Sequence, residues 1–163
     1  MEELIVLFCQ LGLYGFMTAW LVLGVRDNLL HPEMNGAYTA QVLQMDRLRQ
    51  TYPEDFERIK HRCITDPATQ ALLFRAIVAM ELVVSAVMVT GAGLMIGAIF
   101  GLVEPETAKT VALLGAFGFT SIWASFLVAG NHFAYWYCHE GAQNTHFQMV
   151  IWGSATMLFL VIA

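Results

Sequence analysis

The sequence predicts an all-α membrane protein, a four-helix transmembrane bundle with a large helical loop between helices 1 and 2. Hydrophobic residues make up 58% of the chain and charged residues 13%, whereas an ordinary soluble domain carries about 25% charge. The apolar residues gather into four stretches, at 4–25, 67–101, 105–129 and 146–163. At about 1.5 Å per residue each is long enough for a hydrocarbon core of about 30 Å, the last with little tilt. Residues 1–163 therefore read as a single membrane domain. A net charge of -5 with no basic run argues against nucleic acid as a partner.

Helix 1, residues 4–25, has Gln10 and Thr18 as its clearly polar members and ends at Arg26-Asp27-Asn28. The chain opens Met-Glu-Glu, without the positive segment or small-residue cleavage site of a signal peptide, so the helix is expected to be retained. Residues 26–66 are too long for a plain loop. Tyr38, Val42, Met45 and Arg49 fall on one helical face, which predicts a short helix at the interface. A second short helix is expected from Pro53, with Glu54, Asp55 and Glu57 near its start, Arg58, Lys60 and Arg62 toward its end, and Phe56, Ile59 and Cys63 inward.

Helix 2 has the clearest beginning, with Asp66 as N-cap and Pro67 at the first helical position. From Ala76 to Gly101 only Glu81, Ser85 and Thr90 are polar. A carboxyl group facing lipid there costs at least ~2.5 kcal/mol, so Glu81 is expected to be satisfied within the protein or to face water. It bonds Ser85 or a neighbouring helix on the structural reading, and handles protons or a ligand on the functional one. Gly93, Gly97 and Gly101 recur every fourth residue and predict a packing groove, against which Ala108, Ala112 and Ala116 of helix 3 would dock. Pro105, between Glu104 and Glu106, starts that third helix.

Four crossings place loops 26–66 and 130–145 on one side of the membrane, together with His31, His61, His132, His139 and His146. Tyr135, Trp136 and Tyr137 read as part of an aromatic belt at the headgroup boundary. Arg26, Arg47, Arg49, Arg58, Lys60 and Arg62 lie on that side and Lys109 on the other, a bias that puts the loops in the cytoplasm.

Val42-Leu43-Gln44-Met45-Asp46, Arg62-Cys63-Ile64-Thr65-Asp66-Pro67, Glu81, Trp123, and Gly130-Asn131-His132-Phe133-Ala134-Tyr135-Trp136 follow one another along the chain. In this order they resemble a family of small bacterial integral membrane proteins of unknown function. The resemblance covers most of the chain and implies four helices with one large loop in a bacterial inner membrane, and no established activity. The chain departs from the family's pattern at Gln41, Asn131 and His132, where the pattern has histidine, glutamate and tryptophan. The basic turn between helices 2 and 3 in that pattern implies a periplasmic loop, against the charge count. Both orientations stay open at this point.

His132, His139 and His146 recur every seventh residue. On a continuous helix that separates successive rings by about 10.5 Å, too far to share one ion through ~2.0 Å bonds. A nonhelical loop would be needed to make His132 and His139 metal ligands. Asp46, Glu81, Asn131, His132 and Trp136 are the candidate cofactor-binding residues. Bound lipid is expected, with a quinone or a metal as further possibilities, and histidines in loops or at span ends do not suit a haem buried between helices. Neither a nucleophile motif nor a phosphate-binding glycine loop is present, so catalysis by the chain alone is not expected. Cys63 and Cys138 would pair if the loops were periplasmic. These features predict a noncatalytic accessory or scaffold subunit packed against other integral membrane subunits or further copies of itself. The alternative is a redox or transport component holding a quinone, lipid or metal near Asp46, Glu81 and His132.

Overall fold

The computed structural model describes residues 2–162. Four long helices, α1 (Glu2–Leu30), α5 (Pro67–Ile99), α6 (Pro105–His132) and α8 (Glu140–Ile162), are each apolar and long enough to cross a membrane. Between α1 and α5 lie α2 (Pro32–Leu43), α3 (Asp46–Thr51), α4 (Pro53–Ile59) and a 3-10 turn, Lys60–Arg62. The short α7 (Tyr135–Cys138) joins α6 to α8. The protein is an all-α membrane bundle, with no strand among the described residues.

Local chemistry explains the ends. At α5 the Asp66 carboxylate accepts hydrogen bonds from the Thr69 amide at 2.9 Å and the Thr69 hydroxyl at 2.6 Å. Those bonds hold its pKa below the usual carboxylate range. The far end closes with Gly101 at φ 71°, the Leu102 amide reaching back to the Gly97 carbonyl at 2.8 Å. The left-handed residue that stops the helix is glycine because it has no Cβ to clash.

Several boundaries differ from expectation. α1 continues past Val25 to Leu30, since Leu21, Val25 and Asn28 extend one buried stripe through its polar end. α8 starts at Glu140 rather than 146, and α6 runs to His132 rather than 129. The single helix expected over Tyr38–Arg49 is broken, because Met45 turns the chain with φ 54° and separates α2 from α3.

The packing groove on α5 is also displaced. Gly93 has no atom within 4 Å of where a Cβ would stand, Gly97 faces Val103 in its own following turn, and Gly101 belongs to the helix stop. Gly91 makes the close approach: a Cβ there would lie 3.0 Å from the Ala112 Cα. Two residues along a helix rotate the side chain by about 200°, which turns Gly93 away from the face Gly91 uses. Ala108, Ala112 and Ala116 are fully buried, and Gly115 completes the α6 side of the contact. Tyr14 of α1, also fully buried, sends its hydroxyl between Gly91 and Gly115.

The two connectors lie against each other at one end of the bundle. Tyr137 donates to Asp55 at 2.9 Å, Arg62 to the His132 carbonyl at 3.3 Å, and Tyr38 bonds His139 at 2.9 Å. Beneath these bonds Met45, Leu48 and Ala134 form a small apolar cluster, with Phe56, Ile59, Cys63 and Cys138 packed on it. Met45 and Ala134 are both left-handed non-glycine residues. Such a conformation persists only where the surroundings enforce it, and here both are buried in the same cluster.

Candidate ligand-binding site

A cavity of about 500 Å³ lies beneath the joined connectors, bounded by α1, α2, α5, α6 and α8. Its volume falls within the ~300–1,000 Å³ of small-molecule sites. The walls are mainly apolar and aromatic: Trp20, Phe74, Trp123, Phe126, Phe133 and Tyr135 contribute rings.

The polar groups fall into two sets. On one wall, Asn28 Nδ2 donates to Glu81 Oε2 at 2.8 Å, and Asn35 Nδ2 donates to Asn28 Oδ1. Glu81, 6% exposed, is thus satisfied by α1 rather than by Ser85, whose hydroxyl makes no hydrogen bond among the described residues. On the other wall stand Trp123 and His146 with ring centroids 5.2 Å apart. Trp123 Nε1 and His146 Nδ1 are buried and make no hydrogen bond among the described residues.

A column of rings connects this second wall to the surface. His146 stacks on Tyr135 at 5.6 Å and 13°, and Tyr135 on His139 at 5.2 Å and 17°. The His139 Nδ1 meets the Tyr38 hydroxyl, and Arg47 stands over the Tyr38 ring. Burial chiefly, and the Arg47 charge in addition, lower the His139 pKa below 6.5. Gly130 makes room for the column, since a Cβ there would lie 2.9 Å from the Tyr135 side chain.

Of the residues singled out in the sequence, Glu81 lines the cavity and the other cofactor candidates do not. Asp46 pairs with Arg49 at 2.6 Å, Asn131 and His132 are exposed, and Trp136 is 50% exposed. The histidine pair splits likewise: His139 is buried in the ring column while His132 faces outward against Phe133. No three His, Cys, Asp or Glu side chains converge on a metal position among the described residues. Cys63 and Cys138 are free thiols with pKa values raised chiefly by burial, and Cys63 donates to the Gln44 carbonyl at 3.3 Å.

Asn28, Asn35, Trp20, Phe126 and His146 are among the cavity residues that sequence reasoning did not put forward as binding residues. Asn28 carried a readable signal, its place at seven residues from Leu21 on the buried stripe of α1. Asn35 and Phe126 carried none, because their positions depend on how α2 and α6 pack.

Residues 6–163 match the family model described as "Predicted small integral membrane protein (DUF2165)". The chain belongs to this family. Nearly its whole length is therefore the DUF2165 unit, and cavity and connectors both lie inside it. No curated protein and no solved structure matches the chain.

Proposed function

We propose that this DUF2165 protein binds a small amphipathic molecule within the membrane, at the end of the bundle where the connectors meet. The observation that carries the reading is the cavity itself, apolar and aromatic with a few convergent polar groups.

Gly24 provides the test, since it lines the cavity and has no atom within 4 Å of its missing Cβ. Gly24→Leu adds an apolar side chain there, starting from a Cβ that meets no atom within 4 Å. Native mass spectrometry of protein released gently from membranes should find a small molecule on the wild type and less on Gly24→Leu. Equal occupancy in the two would refute the reading.

A second reading, an accessory or scaffold subunit of a larger membrane complex, draws support from a different surface. Gly12 of α1 and Gly93 of α5 are exposed with open space beside them, and helices in lipid approach closely where side chains are small. Purification in a mild detergent should then retain partner subunits or further copies. A monomer that keeps its ligand would count against it. The bacterial cytoplasmic membrane is the location proposed for either role, supported by the resemblance and by helical spans, as outer membranes are crossed by β-barrels.

A further inference from the structure

We infer that the molecule the cavity takes is a hydrophobic organic cation, its ammonium or phosphonium centre facing Glu81 and its apolar groups lying among the rings. This rests on the ligand-binding reading above and adds the sign of the charge.

The cavity wall contains one acid and no lysine or arginine. Its other titratable side chains are Tyr38, Tyr135 and His146. Glu81 takes part in no ion pair among the described residues. Arg75, six residues before it on α5, is exposed rather than turned to the cavity. The hydrogen-bond chain from Asn35 through Asn28 ends by donating into one carboxyl oxygen. Glu81 accepts from Asn28 and donates no hydrogen bond among the described residues.

The aromatic lining favours the same sign. Ring faces carry the negative part of the aromatic quadrupole and attract cations that have shed water, tryptophan most strongly. Trp20 and Trp123 stand edge to face at 5.2 Å, both in the wall. An acid without a basic partner, in a cavity whose walls also carry aromatic rings, is a receptor for a weakly hydrated positive charge on an apolar body. A small inorganic ion would need several oxygen ligands, and Glu81 is the one carboxyl group in the cavity wall, with no group of three His, Cys, Asp or Glu side chains converging among the described residues.

The experiment compares tetraphenylphosphonium with triphenylphosphine oxide, a neutral molecule of similar bulk, by equilibrium binding to the intact purified protein in detergent. The expected result is at least tenfold tighter binding of the cation. Glu81→Gln should remove that preference while leaving the oxide unchanged, and Gly24→Leu should weaken both. If the wild type binds the two equally and Gly24→Leu still weakens both, the cation assignment is overturned and the cavity reading survives. Failure of both probes to bind, or binding indifferent to Gly24→Leu, overturns the two together. The wild-type preference is measured without any substitution, so the test holds even if Glu81→Gln does not fold.

Discussion

Asn28 and His139 show how single side chains hold the cavity's two ends. Asn28 is 7% exposed and links Glu81 to Asn35. Asn28→Ala removes the donor on a buried carboxyl oxygen, which should cost about 1–3 kcal/mol and show as a lower unfolding temperature in detergent. His139 acts through protonation. Its pKa is lowered on folding from 6.5, so the neutral ring is favoured and its contribution is complete above that pH. The contribution is lost as pH falls through the lower folded value, when the buried ring must take up a charge beside Arg47. Hydrogen exchange in α7, corrected for the intrinsic pH effect, should therefore speed up on acidification. His139→Phe keeps a ring against Tyr135 but cannot titrate, and its corrected exchange should stay flat with pH.

Among the helices, the distinction between Gly91 and Gly93 matters most. Two glycines in one helix serve unlike surroundings, one against the α6 backbone and one facing open space. A Cβ at Gly115 would meet Tyr14 and lie 3.2 Å from the Met88 Cα, so larger residues must push α1, α5 and α6 apart. Gly115→Val should destabilise by about 1–3 kcal/mol. Gly93→Val, in open space, should leave the unfolding temperature almost unchanged. Thermal unfolding of the two variants side by side decides the matter, and an equal loss from both would restore the groove expected from spacing alone. The four-residue repeat was visible in the sequence but the face it occupied was not. Which side of α5 meets α6 is decided by the best fit of whole surfaces, including the Tyr14 hydroxyl lodged between them.

For the whole molecule, the two connectors form one cap because four helices cross in alternating directions and the cap residues bond one another. Single reporter cysteines at Glu33 and Glu140, both exposed, should react with an impermeant reagent from the same compartment. One at Glu104, in the turn between α5 and α6, should react from the other. Run on closed vesicles of known sidedness, the same labelling decides between the cytoplasmic cap favoured by the arginine count and the periplasmic one implied by the resemblance. Labelling of Glu33 and Glu140 from opposite compartments would break the cap apart, and the cavity beneath it with it.

The sequence by itself determined the four apolar spans, the N-cap at Asp66 and the isolation of Glu81 among apolar neighbours. Each of these is a local property, set by hydropathy over a helix length or by the chemistry of a few adjacent residues. Tertiary structure alone decided that Asn28 meets Glu81 across fifty-three positions, that His139 turns inward while His132 turns out, and that Gly91 rather than Gly93 touches α6. Those outcomes depend on the relative rotation of packed helices, and a few tens of degrees exchange one facing residue for another.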